Sequence, residues 1–296
     1  MDLELVLEEK GIAFAENKSF KELTSFKTGG ECRYAVYPDC VEEVIFLRTL
    51  AKENNIPLIV LGKGTNVLAP DESFEGMVLV TKERFNSLKR EGNVIEACCG
   101  ASLSSICTEA KDASLTGMEF AYGIPGSCGG AVLMNAGAYG GEVKDVITSV
   151  TYLDEKNELH TVSNEECNFS YRTSLFDKND YFVVSVNFTL TEGQKEKIEA
   201  KMTEVLEKRR SKQPLEYPSG GSTFKRPEGY FAAALIEECN LKGFGVGGAE
   251  VSTKHSGFVI NKGNATSNDV KELCRRIKEI VLREKGVKLE TEIRFL

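Results

Sequence analysis

Gly123-Ile124-Pro125-Gly126-Ser127-Cys128-Gly129-Gly130-Ala131-Val132-Leu133-Met134-Asn135-Ala136-Gly137-Ala138-Tyr139-Gly140-Gly141 decides how this chain reads. Seven of these nineteen residues are glycine. Glycine loses more backbone freedom on ordering than any other residue, so this density needs a local reason. One reason is a backbone that must take positive φ. The other is main-chain N–H groups that must come close to a ligand. The glycines surround an apolar run, Ala131 to Met134, that reads as a short buried helix. A glycine-rich turn opening a helix aims N–H groups outward and makes a place for an anion. Structural turns also use glycine heavily, so this stretch alone leaves both readings open. Gly126 is expected to hold a positive φ in space that a branched side chain would fill.

A second loop lies upstream. Ile59-Val60-Leu61 reads as a buried strand and runs straight into Gly62-Lys63-Gly64-Thr65-Asn66-Val67-Leu68. G-x-G after a strand invites a dinucleotide fingerprint, which needs a third glycine and a following helix. Val67 stands where that glycine belongs, and Ala69-Pro70-Asp71 stops any helix. What remains is a strand-to-loop unit rich in main-chain donors, with Thr65 and Asn66 as side-chain partners. It suits a diphosphate held by loop backbone.

At 296 residues the chain has room for two or three domains. A net charge of −8 argues against non-specific nucleic-acid binding, so an anionic substrate would need a local basic pocket. The nine cysteines form no C-x-x-C pair, and with two histidines no metal site is expected. Scattered, odd-numbered cysteines fit reduced thiols and a cytoplasmic location. Asp2-Leu3-Glu4-Leu5 is acidic and unlike a signal peptide, and no apolar run approaches the length of a membrane span.

The rest of the chain reads as mixed α+β. Helices are expected over 3–10, 40–54 and 103–115, and strands over 34–37, 77–81 and 93–99. Residues 146–153 and 158–162 form a hairpin, and 181–190 a further strand. Composition shifts at Thr191, where a charged helix to Lys212 begins. Helices over 231–240 and 268–285 and a strand over 257–261 follow. The last strand, 289–295, has too little chain around it to stand alone. The domain reading is 1–82 and 83–191 as two subdomains and 192–286 as a third part, with 287–296 returning to the middle one.

Val60-Leu61-Gly62-Lys63-Gly64-Thr65-Asn66, Gly123-Ile124-Pro125-Gly126-Ser127 with Asn135-Ala136-Gly137-Ala138, Ser170-Tyr171-Arg172-Thr173-Ser174, Gly221-Ser222-Thr223-Phe224-Lys225-Arg226-Pro227 and Leu289-Glu290-Thr291-Glu292 occur in that order. In this the chain resembles the UDP-N-acetylenolpyruvoylglucosamine reductases, compact branch, from about residue 24 onward. Departures are small: Lys63 where the family often has glycine, Ser127 where threonine is common, and Gly220 where asparagine or alanine is common. The resemblance implies an FAD-binding fold of the vanillyl-alcohol-oxidase type, two subdomains, with a C-terminal α+β substrate-binding domain. It implies FAD and NADPH as cofactors and UDP-N-acetylglucosamine enolpyruvate as substrate, reduced to UDP-N-acetylmuramate for peptidoglycan. It points to no nucleic acid or membrane and leaves protein partners open. Another FAD oxidoreductase of this fold, acting on a sugar or alcohol, is the competing reading. Some of those tether flavin through His or Cys, and Cys128 lies in a candidate loop.

The resemblance assigns flavin contacts to Gly62, Lys63, Gly64, Thr65, Asn66, Gly123, Ile124, Pro125, Gly126, Ser127, Gly130, Asn135, Ala136, Gly137 and Ala138. It gives Arg172, Ser222 and Glu292 catalytic roles: a clamp on the substrate carboxylate, the proton donor, and a residue assisting Ser222 or orienting Arg172. Arg172 suits a carboxylate because a guanidinium stays charged and offers two parallel donors. Ser222 follows two glycines that leave its hydroxyl accessible, and no G-x-S-x-G elbow surrounds it. Glu292 shares a strand face with Glu290 and Arg294, opposite Thr291, Ile293 and Phe295. Tyr171, Lys212, Lys225, Arg226, Lys242 and His255 are the substrate-binding candidates.

Overall fold

The computed structural model describes residues 2–177 and 179–296. The chain forms two compact units: 1–16, 34–63 and 76–209 in the first, 17–33, 64–75 and 210–296 in the second. The path crosses between them five times, so neither unit is one continuous stretch.

The first unit contains most of one sheet and all of a second. One has four strands in the spatial order Ala13–Ser19, Glu31–Tyr37, Phe74–Val80, Leu58–Leu61. Leu58–Leu61 runs parallel to Phe74–Val80, which is buried continuously from Gly76 to Val80, as expected of a strand covered on both faces. Helix Val41–Glu53 precedes Leu58–Leu61 and buries Val44, Leu47, Leu50 and Ala51, one stripe at 3–4 residue spacing. The second sheet has five strands in the order Leu159–Ser163, Ile147–Leu153, Phe182–Thr189, Val94–Cys98, Leu88–Glu91, all antiparallel. Helix Leu103–Asp112 begins at Ser102, whose Oγ accepts the Ser105 N–H at 2.9 Å. A continuous core joins Leu47, Met77, Ile95, Ile106, Val150, Phe176 and Phe188.

The second unit has its own core, including Phe26, Leu68, Phe224, Ile236, Leu273, Ile277 and Ile293. Its main helix, Ser267–Lys285, starts with a capping box: Thr266 Oγ1 accepts from the Asp269 N–H at 3.0 Å and Asp269 accepts from the Thr266 N–H at 2.9 Å. It ends at Gly286, with φ +69°. Asp71 adds a cap from a distant segment, accepting the Ser267 N–H at 2.7 Å and the Asn268 N–H at 2.8 Å.

Residues 287–296 do not return to the middle subdomain. Arg294–Phe295 pairs in parallel with Val67–Leu68, Thr291 bridges Phe224, and both partners lie in the second unit. The reason is apolar: Leu289 and Ile293 are buried in the second core. The expected face alternation also stops early, because Ile293 is buried while Phe295 is 46% exposed. A strand over Ala13–Ser19 escaped the sequence reading, its centre being Glu16-Asn17-Lys18 with no alternation to detect.

Asp71→Ala should destabilise the protein by about 1–2 kcal/mol, since it strips a charged cap from the positive end of a long helix. Asp71→Asn should lose less. Urea unfolding midpoints at constant slope check this, and an unchanged midpoint for Asp71→Ala would mean water replaces the cap.

Candidate active site

The two glycine loops meet in the first unit. Strand Leu58–Leu61 ends at Gly62, and a Cβ on Gly62 would lie 2.0 Å from Ser127 Oγ. A side chain at position 62 would therefore force Ser127 into another rotamer, so glycine gives the two loops their closest approach. Ser127 is buried and precedes helix Cys128–Leu133, the helix the sequence placed over 131–134. The Cys128 and Gly129 N–H groups do not face a ligand. They donate to Ala101 O at 2.7 Å and Cys99 O at 2.8 Å, fastening the helix start to the end of strand Val94–Cys98. The free donors come earlier. Among the described residues, no main-chain N–H from Gly62 to Asn66 finds a protein acceptor, nor do those of Gly126 and Ser127. Such runs of unpaired donors are what a diphosphate needs, so the residues present fit FAD.

The remaining loop residues divide by position. Gly64, with φ +62°, belongs to the second unit, where a Cβ would meet Leu23 O at 2.2 Å. Lys63, Thr65 and Asn66 are half-buried, and Asn66 Nδ2 donates to Glu292 O at 3.2 Å. Pro125 and Gly130 are exposed, and Ile124 and Ala136 are half-buried. Gly123 takes the positive φ, +95°, against the Arg209 side chain. Gly126 does not: its φ is outside that region, and a Cβ there would touch only Ile124 and Leu103 at 3.7 Å. The expectation of backbone strain at Gly126 is corrected accordingly. Cys128 is fully buried and its thiol is pushed far above its usual range by burial, which makes it a poor flavin tether.

Gly137–Ala138 and Gly141–Glu142 form a tight hairpin through Tyr139 (φ +51°) and Gly140 (φ +90°). This hairpin, Lys144, Asp145, Tyr171 and Arg172 line an open cleft of about 480 Å³. Arg172 has φ +57°, rare for arginine, and its guanidinium lies 5.2 Å from the Tyr171 ring centroid. Its Nη2 reaches Gly137 O at 3.4 Å. Tyr139, Glu142 and Lys144 were not singled out from the sequence. The Tyr139-Gly140 turn signal was there, but nothing local ties it to Arg172.

In the second unit Ser222 is exposed beside Gly221 (φ +77°). Its neighbour Thr223 is fully buried and fixes it: the Thr223 N–H donates to Gly257 O, its Oγ1 accepts the Val259 N–H and its carbonyl accepts the Glu292 N–H, each at 2.8 Å. Glu292 therefore sits opposite the residue after Ser222. Lys225 donates its N–H to Glu290 O at 2.8 Å, with Nζ 3.9 Å from the Glu290 carboxylate. Arg226 stacks on Phe231, 3.8 Å from the ring centroid. Burial lowers the His255 imidazole below its usual range, and the charges of Lys242 and Lys212 push the same way, so those two lysines lie within its electrostatic reach. Lys242 pairs with Glu237 at 2.6 Å, and Lys212 is exposed at the end of helix Lys195–Lys212.

A four-stranded sheet with a parallel pair, a five-stranded antiparallel sheet and two donor-lined loops define an FAD-binding protein of the vanillyl-alcohol-oxidase type. Residues 32–163 match the family model for the FAD binding domain, and residues 213–296 that for the UDP-N-acetylenolpyruvoylglucosamine reductase C-terminal domain. The chain belongs to the UDP-N-acetylenolpyruvoylglucosamine reductase family. It is 47% identical to the reductase of that name from Clostridium novyi, over 99% of this chain and 95% of that one. It is 46% identical to the one from Geobacillus thermodenitrificans, over 95% and 92%. The solved reductase from Thermus caldophilus superposes with a TM-score of 0.81 at 33% identity, over 96% of this chain and 98% of that one. A Physcomitrella patens BBE-like protein shares the fold alone, with a TM-score of 0.51 at 17% identity, over 65% and 45%.

Gly126→Ala should leave the fold intact, since its Cβ would make only ordinary contacts with Ile124 and Leu103 at 3.7 Å, and should weaken flavin binding by crowding the loop. Gly62→Ala should lose both flavin and stability. Flavin absorbance per chain and melting of the flavin-free protein separate the two. Full flavin content in Gly126→Ala would remove that residue from the site.

Proposed function

We propose that this chain reduces UDP-N-acetylglucosamine enolpyruvate to UDP-N-acetylmuramate with NADPH, in peptidoglycan synthesis, in the cytoplasm. Membership of the reductase family supports the reaction. The observation that carries the residue roles is the turn that holds Arg172 at φ +57° on the rim of an open cleft. No helix among the described residues is long and apolar enough to cross a membrane.

Bound FAD supplies the hydride carrier between NADPH and the enolpyruvyl group. The main-chain donors of Gly62 and Lys63 and of Gly126 and Ser127 would hold its diphosphate. Arg172 grips the substrate carboxylate. When hydride has reached the terminal enolpyruvyl carbon, the electron pair left on the neighbouring carbon spreads into that carboxylate. The guanidinium stabilises the added charge because it is fixed before the reaction begins. The Ser222 hydroxyl then gives its proton to that carbon from one face, and its alkoxide is reprotonated from water, to which Ser222 is open. Glu292, paired by its N–H to Thr223, is placed to steady Ser222. Lys212, Lys225, Arg226, Lys242 and His255 take the uridine diphosphate portion, with Tyr171 at the sugar end. The three lysines and Arg226 supply the local basicity that a protein of charge −8 otherwise lacks, and His255 adds a neutral donor.

Ser222→Ala tests the assignment. Positioned proton transfer contributes about 10²–10⁴-fold. NADPH should still bleach the flavin at nearly the normal rate, while re-oxidation by UDP-N-acetylglucosamine enolpyruvate should slow by about that factor. Ser222→Cys should lose less. Stopped-flow absorbance of the two half-reactions measures both, and equal slowing of both would make Ser222 a structural residue.

A further inference from the structure

We propose that Asn135 and Glu142 are positioning residues for Arg172: they clamp the Ser170–Thr173 turn so that the guanidinium is presented to the substrate carboxylate. The inference rests on the role of Arg172 given above and deepens it.

Tyr171 and Arg172 are the two central residues of a turn closed by Ser170 N–H to Thr173 O at 3.0 Å and Thr173 N–H to Ser170 O at 3.3 Å. A left-handed arginine is a conformation that persists only where the surroundings impose it. Asn135 does the imposing. It is fully buried and itself has φ +41°, a region asparagine tolerates better than most residues. Its Nδ2 donates to Ser170 O at 3.1 Å, the carbonyl that also closes the turn, and to Glu142 Oε2 at 3.0 Å. Its Oδ1 accepts the Lys144 N–H at 3.2 Å. Both donors and the acceptor are therefore directed at protein groups, and the side chain is a brace between hairpin and turn.

Glu142 fixes the other end of the brace. Its carboxylate also binds Lys144 Nζ at 2.8 Å. Lys144, then Asn135, then the nearby charge of Arg172 hold it below the usual carboxylate range against its partial burial. Asp145 accepts the Glu142 N–H at 2.8 Å, so the backbone under the carboxylate is fixed as well. Glu142 thus stays ionised close to Arg172, orienting Asn135 by a charge-assisted bond and balancing part of the guanidinium charge. The chain of contacts runs Lys144, Glu142, Asn135, Ser170 carbonyl, Arg172, all within the first unit.

The test uses the holoenzyme with UDP-N-acetylmuramate as the probe, titrated calorimetrically, because its lactyl carboxylate occupies the place of the substrate's. Asn135→Asp keeps shape and the tolerance of positive φ but replaces the donor with an acceptor facing Glu142. It should weaken UDP-N-acetylmuramate binding about tenfold or more. Combined with Arg172→Ala, it should cost nothing further. Glu142→Gln keeps an oxygen towards Asn135 and should lose only about threefold. If Asn135→Asp fails to fold, Glu142→Gln with and without Arg172→Ala carries the same comparison. Wild-type binding in the variants, or an undiminished loss on top of Arg172→Ala, overturns the proposal. Normal binding in Arg172→Ala alone would instead overturn the role of Arg172 itself.

Discussion

The structure of the first unit depends on the contact of Gly62 with Ser127. It brings the end of a parallel strand against the start of a short helix, so close that a side chain at position 62 would displace the Ser127 hydroxyl. Once the two loops touch, their unused N–H groups need an anionic acceptor, because unpaired main-chain donors are costly when water is removed. The contact is supported from behind, where Cys128 and Gly129 donate to the carbonyls of Ala101 and Cys99. The helix start is thus spent on fastening the site to the antiparallel sheet. The N–H groups without a protein acceptor among the described residues lie in the turns before it, at Gly126 and Ser127, and in the Gly62 to Asn66 loop.

The sequence revealed what is locally encoded. Gly62 and Gly64 announce close approach through composition alone, and the missing third glycine excludes the dinucleotide fingerprint without any structure. The helices at 41–53, 103–112 and 267–285 were legible because their buried residues recur at helical spacing. What failed was non-local. Which glycine takes positive φ depends on packing, and it is Gly123 against Arg209, not Gly126. The destination of 287–296 is decided by Phe26, Phe224 and Leu68, residues scattered over the chain. Asn135 could be picked out as part of a motif, but its work is done on Ser170, 35 residues away. Arg172 and Ser222 came from the resemblance, since single residues in polar turns carry no pattern of their own.

Electrostatics divides the protein into inert and responsive groups. Cys32 is pushed up to about 11 by burial, and Cys167 and Cys274 to about 12, so these thiols stay protonated and act as small apolar side chains. The responsive groups are the cations. Lys242 and Lys225 lie near Glu237 and Glu290, at 2.6 Å and 3.9 Å, so an arriving diphosphate competes with carboxylates already present. Exposed pairs of this kind are weak, and exchanging one anion for another costs little.

The pairing of Val67–Leu68 with Arg294–Phe295 has a consequence for biogenesis. Asn66 and Glu292 are 226 positions apart, and Phe26 and Leu68 are fully buried only in a core that includes Leu289 and Ile293. On the ribosome, the early part of the Gly62–Leu68 loop emerges with its own sheet close behind it. The later half waits for nearly the whole message to be translated. Closing so long a loop is entropically expensive and slow, and until it closes those apolar side chains lack their cover. The nascent chain is thus exposed to misassociation around Asn66–Leu68, a segment that is made among the first and pairs last.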